Sequence, residues 1–344
     1  MKYSIASFFS GCGGLDLGFE NAGFDIVFAN EFNKKITPTL KKNFPHTEVD
    51  DRDIKLLKST DFPNTIGIVG GPPCQSWSIA GKLRGLDDQR GQVFLNYIDL
   101  IKEKKPLFFL AENVKGMLNS KNRESFEYLI NEFESVGYNF TYKLLNTADF
   151  GVPQTRERVI FVGYHKNLNK TFEFPEAQTE KISLKDAIWD LKDNSLPSLD
   201  GNQKNKNLDF LNHEYMTGSY STIYMSRNRV RSWDEQSFTI QAQGRHAPIH
   251  PNAPKMVKIH KDKFIFQPGK ENLYRRLSVR EVARIQTFPD DFEFVYENVS
   301  SGYLMIGNAV PPKFSEVIAK KIKKDIDDYY ENSTKDITTE LVNQ

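Results

Sequence analysis

The sequence predicts an α/β protein: a doubly wound, mostly parallel sheet with a second, smaller domain. Three observations carry this expectation. The first half alternates strand-like and helix-like segments, the alternation stops near Thr171, and short extended runs rich in Arg, Gln, Pro and Gly follow. In such a sheet, ligands bind beyond the carboxyl ends of the strands.

Apolar runs at Ser4–Phe9, Asp25–Ala29, Thr65–Val69, Leu107–Ala111, Tyr142–Asn146 and Val159–Gly163 read as strands. Segments of helical period at Leu15–Ala22, Lys34–Asn43, Val93–Lys104 and Glu124–Val136 separate the early ones. Leu191–Asn212, rich in Asn, Asp, Ser, Gly and Lys, reads as a linker or irregular loop. Helical character resumes at Val279–Ile285 and Lys313–Asp327, and Tyr329–Gln344 reads as a polar, frayed tail.

The 344 residues exceed the usual size of one domain, and 39% hydrophobic with 26% charged residues fits a soluble globular chain. No apolar run is long enough to cross a bilayer, and Met1-Lys2-Tyr3-Ser4 leads straight into a strand, so a cytoplasmic protein without membrane contact is expected. Cys12 and Cys74 lie in separate loops, which argues against a disulfide, and no Cys/His cluster suggests a metal. The net charge of +1 points to no partner, but Met225–Arg284 holds thirteen Lys/Arg against five Asp/Glu. That local excess is the footprint expected of a phosphate-binding surface.

Gly70-Gly71-Pro72-Pro73-Cys74-Gln75 follows the run Ile66-Gly67-Ile68-Val69, and Glu112-Asn113-Val114 follows the next such run. A thiol and a carboxylate are thereby expected at one edge of the sheet. A thiolate can add to a carbon of a planar, electron-poor ring while an acid takes up the charge pushed onto a ring nitrogen. Two prolines before Cys74 and a polar loop after it argue against a buried structural thiol. Taken singly, Glu112 reads as a strand-end carboxylate and the Arg156/Arg158 pair as surface ion-pair partners. The loop Phe9-Ser10-Gly11-Cys12-Gly13-Gly14 lets backbone approach a ligand closely. Glu31, ending the second strand, can accept hydrogen bonds from ribose hydroxyls, and Asp53 can receive an adenine amino group.

Six motifs in order resemble those of the DNA (cytosine-5)-methyltransferases: the glycine loop at 9–14, Gly71-Pro72-Pro73-Cys74-Gln75-Ser76-Trp77-Ser78, Glu112-Asn113-Val114, Gln154-Thr155-Arg156-Glu157-Arg158, Arg276-Leu277-Ser278-Val279-Arg280-Glu281 and Gly307-Asn308-Ala309-Val310-Pro311-Pro312. The resemblance spans residues 1 to about 325. It implies a Rossmann-like fold and S-adenosyl-L-methionine as methyl donor, leaving S-adenosylhomocysteine, held by Phe9, Gly11, Gly14, Glu31, Asp53, Pro72 and Asn308. It also implies a discontinuous catalytic domain, 1–180 with 300–328, around a target-recognition domain and hinge at 181–299, followed by the tail 329–344.

Cytosine C5 is too poor a nucleophile to take a methyl from sulfonium unaided. Attack of the Cys74 thiolate on C6 would make C5 enamine-like, with protonated Glu112 stabilising the charge, Arg158 holding O2, and Asn113 and Arg156 in support. The base must leave the duplex stack, and the loop Gln75–Gly91, with Ser76, Ser78, Lys82 and Arg84, suits closure over it. The recognition segment resembles that of the GGCC-specific, HaeIII-type members, which implies Arg227, Arg229 and Arg245 as base readers with Ile223 nearby. The chain departs from that pattern after Arg245, at His246 and Ala247. The reading is a monomeric modification enzyme acting on the inner cytosine of GGCC in double-stranded DNA, paired functionally with a restriction endonuclease. A tRNA cytosine-5 methyltransferase, a catalytically idle DNA-binding regulator and a nicotinamide dehydrogenase are the alternatives; the long basic insert speaks against the first, the full set Cys74, Glu112 and Arg158 against the second, and Pro73-Cys74-Gln75 against the third.

Overall fold

The computed structural model describes residues 2–73 and 89–342. Seven strands form the central sheet: β1 (Tyr3–Phe8), β2 (Phe24–Asn30), β3 (Glu48–Asp50), β4 (Gly67–Gly70), β5 (Phe108–Val114), β6 (Tyr138–Asn146) and β7 (Glu157–His165). Their spatial order is β3-β2-β1-β4-β5-β7-β6. The pairs β1–β2, β1–β4, β2–β3 and β4–β5 are parallel, whereas β7 runs antiparallel to β5 and β6. Parallel neighbours need long crossovers, and the helices α1 (Gly14–Asn21), α2 (Thr37–Asn43) and α3 (Gln89–Lys104) lie in those connections, with α4 (Arg123–Ser135) between β5 and β6. The link from β6 to β7 has only a single short turn at Thr147–Phe150, so that pair is a hairpin.

One face of the sheet packs on α1 and on a helix from the far end of the chain, α8 (Pro312–Val342). Phe314, Ile318, Ile322 and Ile326, spaced four apart, lay one stripe of α8 into a cluster with Phe19, Phe24 and Phe108. The other face buries Phe94, Tyr97 and Ile101 of α3 and Leu129 and Phe133 of α4. The C-terminal segment thus completes the layer that the N-terminal half begins.

The intervening region is irregular. It contains α5 (Leu184–Ile188), the short pairs β8 (Leu196–Pro197) with β9 (Glu214–Tyr215) and β10 (Val257–His260) with β11 (Lys263–Ile265), and then α6 (Val279–Ile285) and α7 (Val299–Asn308). Its own apolar cluster is built from Tyr224, Val230, Ile249, Ala253, Met256 and Tyr274. With few ladders available, buried arginines satisfy carbonyl groups instead. Arg276 donates to the carbonyls of Met216, Gly218 and Ser219 and lies 4.0 Å from the Tyr220 ring; Arg280 donates to those of Leu211, Pro289 and Phe292. Part of the local positive excess therefore holds the fold together rather than facing phosphate.

Three expectations change. α5 and α7 lack a clean apolar stripe in the sequence, and α7 is buried at Val299, Gly302, Tyr303, Met305, Ile306 and Gly307, on several sides at once. The three-residue strand β3 (Glu48–Asp50) falls outside every expected strand run. Helix α8 continues to Val342 where a frayed tail is expected. Among the described residues, no helix is long and apolar enough to cross a membrane.

Acid sensitivity follows from one buried cluster. His250 and Glu281 are buried, with Nε2 3.4 Å from the carboxylate. Burial drives His250 down to about 4 against the pull of Glu281. Burial raises Glu281, but the Arg275 hydrogen bonds and charge outweigh it and hold the carboxyl below its usual value. The unfolded chain takes up a proton on this histidine near pH 6.5, while the folded chain resists until about 4. Its contribution to stability is therefore present above about pH 6.5 and lost as pH falls toward 4. Thermal unfolding followed from pH 7 to pH 4 should show a shallower decline for His250→Phe than for the parent chain, whatever the offset at pH 7.

Candidate active site

The carboxyl ends of β1, β2, β4 and β5 open into a cavity of about 590 Å³. The turn after β1 is made by left-handed backbone at Phe9 (φ 54°), Gly11 (φ 57°) and Gly13 (φ 91°). A bulky residue held at positive φ is strained, and such strain collects at functional positions. Phe9, Ser10 and Gly11 line the cavity. Glu31, at the end of β2, accepts the Gly11 N–H at 2.9 Å and the Asn33 N–H at 2.7 Å. Burial nevertheless leaves its carboxyl raised above the usual value. One strand end thereby holds the glycine turn in place and keeps an acidic group at the cavity wall.

Two of the expected ligand residues stand elsewhere. Gly14 packs against chain rather than lining the cavity, because a β-carbon there would collide with the Val310 carbonyl oxygen. Asp53 stands outside the wall, with one oxygen capping the turn Ile54–Leu56 through the Lys55 N–H. Asn30 Nδ2 ties this loop to β2 by donating to the carbonyls of Asp50 and Arg52. Cys12 is buried and its thiol faces the Met305 carbonyl at 3.6 Å. Burial pushes that thiol far up, so it is inert at neutral pH. Beneath the turn, Asp16 bonds Ser7 and burial raises its carboxyl to about 7.

The far wall carries the polar chemistry. Pro72, Pro73, Glu112 and Asn113 line it. Asn113 Nδ2 donates to the Pro72 carbonyl at 3.0 Å, which fixes the chain leaving β4 against the end of β5. Arg158 of β7 pairs with Glu112 of β5 at 2.7 Å, with only 13% and 11% of the two side chains exposed. The antiparallel β5–β7 register brings them together, placing Arg158 opposite Val114 and Glu112 opposite Ile160. Arg156 is buried and turned away, donating to the carbonyls of Ile240, Gly307 and Ala309 at 3.0–3.1 Å. It is a positioning residue and not a group that faces a substrate. Cys74, Ser76, Ser78, Lys82 and Arg84 lie outside the described residues.

Residues 3–324 match the family model described as C-5 cytosine-specific DNA methylase. The chain belongs to that family. It is 57% identical over 328 residues to the type II methyltransferase M.MthTI of Methanothermobacter thermautotrophicus, covering 95% of this chain and 99% of the relative. M.FnuDI of Fusobacterium nucleatum is 55% identical, covering 94% of this chain and 95% of its own length. Among solved structures, a prophage-encoded putative DNA modification methyltransferase of Escherichia coli superposes with a TM-score of 0.73 at 24% identity over 95% of this chain and 100% of that one, a likeness of fold. The protein is thus a DNA (cytosine-5-)-methyltransferase of the type II restriction-modification kind.

In this methyltransferase the segment expected to read DNA presents three of the four expected residues outward. Ile223 is 73% exposed, and Arg227 and Arg245 are exposed as well. Arg229 corrects the expectation: it is buried, with Nε donating to the Tyr224 carbonyl at 2.8 Å and a terminal nitrogen to that of Ile223 at 3.0 Å. Its fork shapes the loop that carries Ile223 and Arg227. Sequence reasoning missed Asn33, Ile36 and Met305 as cavity-lining residues. Met305 stands three residues before Asn308 on one face of α7, a relation that only the folded helix reveals.

The Glu112–Arg158 pair has a measurable signature. Removing one partner of a buried pair leaves an uncompensated charge and costs on the order of 3–5 kcal/mol, whereas removing both costs less. Denaturant unfolding should therefore place Arg158→Ala well below the double variant Arg158→Ala/Glu112→Gln in stability, and equal losses would dissolve the pairing.

Proposed function

We propose that the protein transfers a methyl group from S-adenosyl-L-methionine to C5 of the inner cytosine of GGCC in duplex DNA, through a covalent bond between Cys74 and C6. The observation that carries the chemistry is the buried Glu112–Arg158 pair at 2.7 Å on a wall that also holds Pro73, the residue preceding Cys74 in sequence.

The cavity suits the donor. Glu31 is an acceptor fixed by two backbone N–H groups, fit for ribose hydroxyls, while Phe9, Gly11, Pro72 and Asn308 surround it. Asp53, on the loop tethered by Asn30, takes the adenine edge, and Gly14 serves by letting α1 approach the Val310 carbonyl. When bound, the donor supplies an electrophilic methyl group on sulfonium.

The residues of the chain prepare the base to accept it. The Cys74 thiolate adds to C6, breaking the ring's aromaticity and turning C5 into a carbon nucleophile. Glu112, protonated and hydrogen-bonded at N3 and the exocyclic amine, offsets the charge that develops on the ring. Arg158 orients Glu112 and reaches O2. Asn113 holds the Pro72 carbonyl, so the approach to Cys74 keeps its place. After methyl transfer, solvent water takes the C5 proton, the electron pair of that C–H bond restores the C5–C6 double bond, and the C6–S bond breaks to release the Cys74 thiolate. Duplex carrying 5-fluorocytosine at the target should trap a denaturation-resistant adduct, because fluorine does not leave as a proton does. Cys74→Ala should lose the adduct, and Cys12→Ala should keep it; methylation retained by Cys74→Ala would remove this mechanism.

For the target, Arg227 and Arg245 are the exposed guanidinium forks that can meet O6 and N7 of guanine, each contributing about 1–3 kcal/mol of discrimination. Ile223 supports this reading as a large apolar side chain left exposed four residues before Arg227. Catalytic residues at 1–180 and 300–328 then work with a recognition unit at 181–299, in a cytoplasmic monomer that protects DNA from a partner endonuclease without needing to touch it. Bisulfite sequencing of DNA from cells expressing the protein should show GGCC modified at its first cytosine, and Arg227→Ala or Arg245→Ala should relax choice at one base pair. Modification centred on another tetranucleotide would overturn the GGCC assignment alone.

A further inference from the structure

Helix α7 has two working sides. Met305 and Asn308, with Ala309 and Val310 just beyond, line the cofactor cavity. Gly307 meets the recognition segment so closely that a β-carbon would collide with the Ala242 nitrogen and the Gln241 carbonyl carbon. One turn earlier, Tyr303 lies against Gly244, where a β-carbon would come within 2.5 Å of the ring. Arg245, an expected base reader, is the next residue.

Two side chains of the segment before β7 lock this arrangement. Gln154 Oε1 accepts the Ile240 N–H at 2.7 Å, and Arg156 donates to the Ile240 carbonyl at 3.1 Å. Both polar backbone groups of the residue entering the recognition loop are therefore held. The same two residues reach α7. Arg156 donates to the carbonyls of Gly307 and Ala309, and Gln154 Nε2 donates to Gln286, whose own amide donates to the Ile306 carbonyl at 2.9 Å. Gln154, Arg156 and Gln286 are buried, so none of these bonds competes with water. A buried, hydrogen-bonded bracket thus joins the wall of the cofactor cavity to the loop that carries Arg245, and two residues beyond Arg156 the chain supplies Arg158 to the catalytic pair.

We propose that Gln154 and Arg156 are positioning residues that couple the two ligands: filling the cofactor cavity fixes the α7 end, which fixes Gln241–Arg245 in the conformation that reads DNA. Coupling between two binding sites is reciprocal, so cognate DNA tightens the cofactor by the same factor that the cofactor tightens DNA. The proposal rests on the assignment of the cavity to S-adenosyl-L-methionine and its product.

The test measures a thermodynamic cycle on the full chain. The probe ligands are S-adenosylhomocysteine and a short duplex bearing whichever site bisulfite sequencing identifies, with a scrambled duplex as control. In the parent protein S-adenosylhomocysteine should tighten cognate duplex by roughly fivefold or more, and leave the scrambled duplex nearly unchanged. Arg156→Lys, which keeps the charge but loses the fork, should bring that factor toward one and narrow the gap between cognate and scrambled duplex. Gln286→Leu, which cuts the outer arm of the bracket, should lower it in the same direction and serves if Arg156→Lys does not fold. A folded variant of either kind that binds both ligands more weakly but keeps the parent's coupling factor would overturn the proposal, because that is the result of a merely structural role. Absence of S-adenosylhomocysteine binding by the parent protein would instead overturn the cofactor assignment.

Discussion

Where Gly14 of α1 meets the Val310 carbonyl oxygen, and where Gly307 of α7 meets Gln241–Ala242, backbone touches backbone with no room for a β-carbon. These two contacts set the distance between three parts of the chain that are far apart in sequence. The first brings the C-terminal segment down onto the glycine turn, so that Met305, Asn308 and Val310 become a wall of the cavity opened by β1 and β2. The second lays the recognition segment on the outside of the same helix. Close-packed interiors transmit such constraints because they have little slack to absorb them.

Polar groups follow the same logic. The sheet satisfies its own backbone through its ladders, but the region between β7 and α7 has few, and there arginine takes their place. Arg156, Arg229, Arg276 and Arg280 each bond two or three carbonyl oxygens from within the protein. A planar fork with five donors can reach carbonyls from several loops at once, which a lysine cannot. The irregular domain is thereby given definite shape without regular secondary structure, and the exposed Arg227 and Arg245 are presented from a fixed base.

The acid–base chemistry is assembled across strands. Glu112 comes from β5 and Arg158 from β7, and only the reversed direction of β7 sets the two side by side at the cavity edge. Asn113, the neighbour of Glu112 with its side chain on the opposite face of the strand, holds Pro72 instead. Two consecutive residues thus divide the work between them, with Glu112 paired to Arg158 at the cavity edge and Asn113 steadying the chain that leaves β4.

Local pattern along the chain was enough to read the alternating βα half, its strands other than β3 and its helices to within a few residues, the family, and the place of Glu31 and Glu112 at the cavity wall. Apolar period, glycine turns and motifs at strand ends are properties of neighbouring residues, and at a strand end topology alone says that a side chain will face the ligand. Other features came into being only on folding. Nothing local separates Arg229 or Arg156, which are buried and bound to carbonyls, from Arg227 and Arg245, which are exposed, since all four are arginines in polar surroundings. Helix α7 was not legible because it is buried on several sides and so carries no stripe. Partners for its carbonyls, Arg156 for Gly307 and Cys12 for Met305, come from residues up to 293 positions away, and such pairings exist only once the chain has closed on itself.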